Sequence, residues 1–440
     1  MPDLPPTIQP VILGGDVGAY SLARAFHEAY GVRSIVISGT STGLMRRSRI
    51  LTHLSEPRID DDAAVVDRLL TIARNSAGRR LIAVASTDWL VETLVGAAAT
   101  LRAAGYVVPY VDAPLLARMT DKERFGALCR ELDIPHPTTV VCQVPDFTGH
   151  LDTRGLRFPV IAKASSSALM HDVTYDGKQK VHTVQTPEEL AALLTRVREA
   201  GYPGAMIIQD YIPGDDSGMR ILTCYSDQAG RVRFSGFGQV LLEEHAPGAL
   251  GNPAGIITEP NPAVAAQAAR LLEQVGWTGF ANFDLKHDPR TGDDVFFELN
   301  PRLGRSNFYL TAAGANPIRF YVTELLQGQD PDPRTVLDAS KVDEAGNWLP
   351  EHLYTVLPGL LLRRYLFDRP LRRRACRLLL TGRASKPLSY LRETDPRRWA
   401  YIAVSQVNHF RKFGRFYPRA AARRHWAEGR WAEGRRAVGR

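Results

Sequence analysis

Cysteine is scarce in this chain. Its four cysteines, Cys129, Cys142, Cys224 and Cys376, stand far apart with no CxxC pair among them, which argues against both a disulfide framework and a zinc site. Long apolar runs are missing too. The best candidate, near Val356 to Leu362, falls far short of the ~18 residues that span a bilayer. The opening MPDLPPTIQP has neither a basic segment nor an apolar stretch of the kind a secretion signal carries, so a cytoplasmic protein with reduced thiols is expected. A full GxGxxG is also absent. The segment Pro10 to Gly18 runs from an apolar strand into Gly14-Gly15-Asp16-Val17-Gly18, but no acid closes the next strand, which leaves little support for dinucleotide binding.

What is present suits a multidomain α/β protein. A 44% hydrophobic share of 440 residues can fill about three compact cores. After the glycine turn, Ala19 to Tyr30 carries apolar residues at helical spacing, and Ser34 to Ile37 and Leu81 to Ala85 read as further strands with helical sequence between them. That alternation predicts a parallel sheet.

The stretch with most chemical content is ANFDLKHDPRTGDDVFFELNPRLGRSN, residues 281 to 307. Two alternating runs, Phe283-Asp284-Leu285-Lys286 and Phe297-Glu298-Leu299-Asn300, flank Asp288-Pro289-Arg290-Thr291-Gly292, which predicts a hairpin. With register symmetric about Thr291, Asp284 faces Glu298 with Cβ atoms roughly 5 Å apart. Asn282 and Asn300 then share their face, and Phe283, Leu285, Phe297 and Leu299 take the other. Facing carboxylates repel, so a cation between them is expected. A hard divalent ion with oxygen ligands suits the pair, and Mg²⁺ usually brings phosphates with it. The competing reading is a solvated hairpin face, or an acid pair neutralised by Lys286. Asn300 and Arg302 favour the first reading, because they add a neutral oxygen ligand and a fixed cation able to brace a phosphoryl group.

FELNPR with an acid about fourteen residues upstream resembles the metal and phosphate end of ATP-grasp enzymes. The rest of that pattern occurs in order. Thr120-Asp121-Lys122 opens a helical stretch ending in Leu132-Asp133-Ile134-Pro135-His136-Pro137; Phe158 to Lys163 is a short strand delivering a lysine; Ile207 to Asp216 resembles the adenine-reading hinge. The resemblance implies an α/β fold with a Rossmann-like domain at 1–118, an ATP-grasp core of two lobes at 119–210 and 211–330, and a basic, mainly helical extension at 331–440. It implies ATP with Mg²⁺ or Mn²⁺ as cofactors, Asp284, Glu298 and Asn300 as metal ligands, and Arg302 as the residue steadying the γ-phosphoryl group. Lys122 and Lys163 would hold phosphates, Gln209 with the backbone of Asp210 and Ile212 the adenine, and Asp216 the ribose. Where the family carries a glycine-rich lid loop this chain has Ala164-Ser165-Ser166-Ser167-Ala168-Leu169. Serine N–H and O–H groups, Ser166 among them, can still donate to phosphate oxygens, but the lid's geometry differs. The N-terminal domain would help hold the acceptor, with Gly15, Asp16 and the polar Ser86-Thr87-Asp88 at its strand ends. Arg305, Ser306 and Asn307 are candidates for gripping the substrate carboxylate, against a capping or turn role for the last two.

Charge is uneven. Residues 331 to 440 hold 24 Lys or Arg against 10 Asp or Glu, a net of +14, while the preceding 330 residues net −6. Leu360 to Phe367 and Arg372 to Leu380 mix aliphatic and basic residues as surface-lying helices do, and Trp-Ala-Glu-Gly-Arg occurs twice, at 426–430 and 431–435, in a segment expected to fray. Three readings compete: a solvated appendage on the core, attraction to anionic lipid or to an acidic lipid- or nucleotide-linked substrate, and nucleic-acid binding, which no recognition motif supports. With the GGDVGAYSLARAFHEAYG opening, the extension resembles the bacterial carboxylate–amine ligase branch of D-aspartate ligase type. That branch implies amide formation through an acyl phosphate, from small carboxylate and amine substrates that include a peptidoglycan precursor. The alternative is an ATP-binding scaffold without turnover, held at an anionic membrane by its tail.

Overall fold

The computed structural model describes residues 8–165, 169–170, 173–179 and 181–438. Its N-terminal sheet is parallel, as the alternation predicts, and follows the order β3-β2-β1-β4-β5. The strands are β1 (Ile8–Leu13), β2 (Ser34–Ser38), β3 (Leu51–Ser55), β4 (Arg80–Ala85) and β5 (Tyr106–Val107). β3 escaped the sequence reading because it is an edge strand whose Thr52 and Ser55 are exposed. Chain order reverses at β1, so the turns after β1 and β4 open side by side at the carboxyl edge, where ligands of such sheets bind. Gly14 is needed there. Its φ is +128°, and a Cβ would lie 2.1 Å from Ser86 Oγ.

A four-stranded antiparallel sheet, β6-β9-β7-β8, follows: β6 (Thr139–Gln143), β7 (Val160–Ala164), β8 (His182–Val184) and β9 (Ala205–Asp210). The helix Pro187–Glu199 buries Leu190, Leu193, Leu194 and Val197 against it, in a core separate from the others. We refer to this unit as the lid.

The central sheet has the order β14-β13-β10-β11-β12-β15-β16. It is built from β10 (Met219–Ser226), β11 (Val232–Glu244), β12 (Asn252–Thr258), β13 (Gly279–His287), β14 (Asp294–Asn300), β15 (Leu353–Thr355) and β16 (Ala384–Ser385). Two clusters knit it to the N-terminal domain: Val11, Leu81, Phe283 and Phe296 meet in one, and Tyr20, Phe26, Tyr309 and Phe320 in the other. β13 and β14 form the expected hairpin, with Asp284 opposite Glu298 and Asn282 opposite Asn300. The register shifts just beyond, where Leu285 pairs with Phe296. A bulge therefore corrects the symmetric register: Phe296 is fully buried and Phe297 only half-buried.

Residues 331–438 run across the other end of this sheet. Helices Gly359–Tyr365 and Arg369–Leu380 turn Leu361, Leu362, Leu371, Ala375 and Leu378 onto Leu241, Leu242 and Ile257. Helix Pro396–Phe416 follows, then helix Arg419–Val438. The latter corrects the expectation of fraying: the Trp-Ala-Glu-Gly-Arg repeats are helical, with Trp426 packed on Phe367 and Glu428 accepting from the Tyr211 hydroxyl at 3.3 Å.

Candidate active site

Strand alternation places Asp284, Glu298 and Asn300 on one face of the β13–β14 hairpin, and a support beneath fixes Asn282. The Thr223 hydroxyl donates to Asn282 Oδ1 at 2.8 Å, and the Tyr309 hydroxyl lies 2.9 Å from Thr223 Oγ1 and 2.6 Å from the Gly236 carbonyl. Asn300 Nδ2 donates to Asp284 Oδ2 at 3.1 Å. Burial and the charge of Glu298 push the Asp284 carboxyl well above the usual carboxylate range, against Arg302 and the amide of Asn300. Glu298 shifts down instead: its burial opposes ionisation but is outweighed by Lys122, Lys163 and Arg302. The two acids thus share unequal shells, and one of them tends to keep a proton unless a cation offsets both.

The cations come from two directions. Asp121 caps the helix Lys122–Glu131, accepting Arg124 N–H at 2.8 Å, and this cap aims Lys122 Nζ at Glu298 Oε2, 3.0 Å away. Lys163 arrives on β7 of the lid. Burial, then the neighbouring Lys122, lowers its pKa to about 8. Lys286 does not neutralise the acids. It turns to the hinge and donates to the Ile212 and Gly214 carbonyls at 2.8 and 3.2 Å.

Arg302 connects this cluster to the N-terminal domain, with Nη2 at 3.0 Å from Asp88 Oδ2 and 3.4 Å from Asn300 Oδ1. Around it lie buried polar atoms with no partner among the described residues: Arg302 Nε, Asp88 Oδ1, Thr87 Oγ1 and Ser86 Oγ. Each such atom costs about 1–3 kcal/mol while unsatisfied, so this corner suits a polar ligand. Three residues on, Arg305 bridges Asp16 Oδ2 at 3.6 Å and Glu244 Oε1 at 2.5 Å. Its Cα would lie 3.0 Å from a Cβ on Gly18.

The arrangement therefore unites Lys122, Lys163, Asp284, Glu298, Asn300 and Arg302, and sets Asp16 and Arg305 beside them. Gly15 lies at the same turn, where a Cβ would come 3.0 Å from that of Ser38. The side chains of the remaining candidates make contacts of their own. Gln209 is buried and donates to Thr139 Oγ1 at 3.0 Å; the Asp210 carboxylate accepts the Arg157 amide at 2.9 Å. Asp216 is buried, and its Oδ2 accepts Glu243 N–H at 2.9 Å and faces His245 Nε2 at 2.8 Å. Ser306 is buried. Asn307 acts as a strut, donating to the Gly18 and Gly304 carbonyls at 3.2 and 2.9 Å. Ser166 lies outside the described residues. The Asp88 and Glu244 contacts were missed because 214 and 61 residues separate the partners, and no local pattern signals such pairs.

Mg²⁺ fits the donor set. Among the described residues no three His, Cys, Asp or Glu side chains cluster as a closed metal site. Mg²⁺ seldom uses one: it takes one or two carboxylates and completes its octahedron with phosphate oxygens and water. Asp284, Glu298 and the amide oxygen of Asn300 can supply the protein share.

The chain is 31% identical to D-aspartate ligase of Enterococcus faecium (strain Aus0004) over 413 residues, 93% of this chain and 96% of that protein. No family model matches it. Among solved structures it is similar to phosphoribosylglycinamide synthetase from Anaerococcus prevotii (TM-score 0.54, 13% identity, covering 79% of this chain and 80% of that one). It also resembles L-amino acid ligase from Bacillus licheniformis (TM-score 0.52, 12% identity, 74% and 75%). These likenesses give the fold, which is ATP-grasp. The 31% identity to D-aspartate ligase over nearly the whole of both chains makes this protein a member of the ATP-grasp carboxylate–amine ligase family of that enzyme, an ATP-dependent enzyme that forms carbon–nitrogen bonds.

Proposed function

We propose that the protein joins an amino acid of D-aspartate type to an amine on a peptidoglycan precursor through an acyl phosphate, releasing ADP and phosphate. The observation that carries the reading is the meeting of the acid pair, Lys122 and Arg302 at one point, with Arg302 also touching the N-terminal domain through Asp88. In the first step a carboxylate oxygen attacks the γ-phosphorus, the bond to the bridging oxygen breaks, and ADP leaves. Lys122, Lys163 and Arg302 offset the charge that develops on the phosphoryl oxygens. Asp284, Glu298 and Asn300 would hold Mg²⁺, which when bound would offset the charge of the phosphate oxygens. In the second step the amine attacks the acyl carbon, the carbon–oxygen bond to phosphate breaks, and the nitrogen loses a proton. Arg302 with Asp88, and Arg305 with Asp16, position the substrates at the carboxyl edge of the N-terminal sheet. ATP and such precursors meet in the cytoplasm, at the inner face of the membrane when the precursor is lipid-linked; the +14 charge of residues 331–440 supports attraction to either kind of acidic acceptor. A turnover-less scaffold is disfavoured, because the acids, both lysines and Arg302 all remain together.

The test is incubation with Mg-ATP, a panel of D- and L-amino acids and cell-wall precursors, following nucleotide release. ADP and orthophosphate are the expected products. AMP with pyrophosphate would overturn the mechanism.

A further inference from the structure

A cavity of about 170 Å³ lies where the N-terminal domain, the end of β11 and the helix Pro396–Phe416 meet. Its polar lining consists chiefly of Glu244, Arg305, Lys386, Gln406, His409 and Lys412. Three cations therefore face one acid, and Glu244 is already bound by Arg305. Elsewhere in the C-terminal quarter, buried or half-buried arginines have acidic partners: Arg374 pairs with Glu259 and Glu351, and Arg398 with Glu393. Lys386 instead meets the neutral amide of Gln406, whose nitrogen donates to the Val356 carbonyl at 2.8 Å. Lys412 has no acidic partner among the described residues. His409 is 8% exposed, and its ring nitrogens meet no hydrogen-bonding group among those residues. Burial holds its imidazole below the ordinary pKa, opposed by Glu244 and reinforced by Lys412, Lys386 and Arg305.

Two ammonium groups without an acidic partner and an imidazole with no hydrogen-bond partner among the described residues surround one cavity, a setting that suits an anion. The walls are tied to one another by buried hydrogen bonds. Glu393, almost fully buried, accepts the Ser48 hydroxyl at 2.5 Å and the Arg49 amide at 2.7 Å, while the Trp399 indole donates to its carbonyl at 2.7 Å; together they pin the start of the helix to the N-terminal domain. Arg305 connects the cavity to the reaction centre, since it also reaches Asp16 at the glycine turn and follows Arg302 by three residues.

Resting on the ligase reading above, we propose that Arg305, Lys386, His409 and Lys412 form a second substrate compartment. It takes an anionic oxygen group, carboxylate or phosphate, on a part of one substrate that does not react. Such a grip, far from the bond being made and the same in ground and transition states, is uniform binding that lowers KM without raising kcat.

The test uses the full chain with its nucleotide site filled by Mg²⁺ and a non-hydrolysable ATP analogue. Succinate and inorganic phosphate are titrated in separate arms by calorimetry, against the wild type and Lys386→Met/Lys412→Met, which keeps the aliphatic stems. The wild type should bind at least one of the two anions, and the variant should bind that anion about tenfold or more weakly, the scale expected when charged hydrogen bonds are lost. The arm that responds identifies the group. With turnover in hand, the variant should raise KM for one substrate by a similar factor, leaving kcat and KM for ATP within about twofold. Equal anion affinity in the two proteins, or no binding of either anion to the wild type, would overturn the proposal. Absence of ATP turnover in the wild type would count against the ligase reading only, because the calorimetric arm does not depend on it.

Discussion

Asp284 and Glu298 face each other in a half-buried setting where Asp284 holds its proton above the usual carboxylate range unless a cation offsets the pair, and that bears on what each amide variant does. Glu298→Gln or Asp284→Asn removes a ligand and a charge contact used as the phosphoryl group moves. Turnover should fall by at least about 100-fold, a loss typical of such contacts, read as ADP release at saturating Mg-ATP. Thermal stability should hold or rise for Asp284→Asn, which relieves repulsion in the empty site, and should fall somewhat for Glu298→Gln, which takes the counter-ion from Lys122 and Lys163. Lys163 gives a second handle. Its ammonium is held at a pKa of about 8 by burial and by Lys122, and bound triphosphate favours the charged form. Below that pH the ammonium is already present and Lys163 adds no pH dependence to ATP affinity. Above it binding must take up a proton, so affinity should fall by up to about tenfold per pH unit. Lys163→Met should bind ATP more weakly and lose this slope, checked by nucleotide titration from pH 6.5 to about 9.5. At this scale the sequence was informative where a side chain's role follows from its own strand: alternation alone sets Asp284 against Glu298. It was silent on Arg302 with Asp88 and Arg305 with Glu244, because those pairs exist only once distant elements have packed.

Elements show the same division. A glycine turn, a helical stripe and buried strands have local causes, and β1, β2, β4 and the helix Val17–Tyr30 were foreseen nearly to their ends. The bulge in β14 was not, because Phe296 and Phe297 are adjacent and equally apolar, and the choice between them is made by packing: the Phe296 amide donates to the Pro135 carbonyl at 2.8 Å. The docking of helix Pro396–Phe416 was hidden too. It depends on Glu393, which takes the Tyr20 hydroxyl at 3.1 Å and lies 3.6 Å from Arg398 Nε in a setting that is almost fully buried. Arg398 also stacks on the Tyr20 ring, 4.4 Å from its centroid. Glu393→Gln keeps the shape and removes the charge, leaving a buried guanidinium without its counter-ion. Removing one partner of such a pair costs about 3–5 kcal/mol. A loss of that size in the unfolding free energy, from the denaturant midpoint and slope, is the expected outcome; a loss below about 1 kcal/mol would mean the pair is screened by water and gives the helix little hold.

For the molecule as a whole, the charge map misleads about where the structure divides. The +14 of residues 331–440 suggests an appendage, yet this quarter places β15 against β12 and β16 beyond it, and its leucines cover one end of the central sheet. A short strand such as Leu353–Thr355 carries too little pattern to be read ahead of the fold, and basic residues between the leucines disguise a covering helix as a solvated or lipid-seeking one. Leu241, Leu242, Ala254 and Ile257 of the sheet pack only with this quarter in their cluster. Cutting at residue 330 would uncover them and leave β12 as an unpaired apolar edge, a template for aggregation. It would also remove the wall behind Glu244 and Arg305. The truncated chain should therefore be insoluble or form large species in size-exclusion chromatography, with ATP binding lost along with the fold, although every residue from Lys122 to Arg302 remains. A monodisperse truncated protein that binds ATP normally would show that the core closes without its basic quarter. The arginines there would then be free for a partner, and salt-dependent binding of the full chain to anionic vesicles would be the measurement to make next.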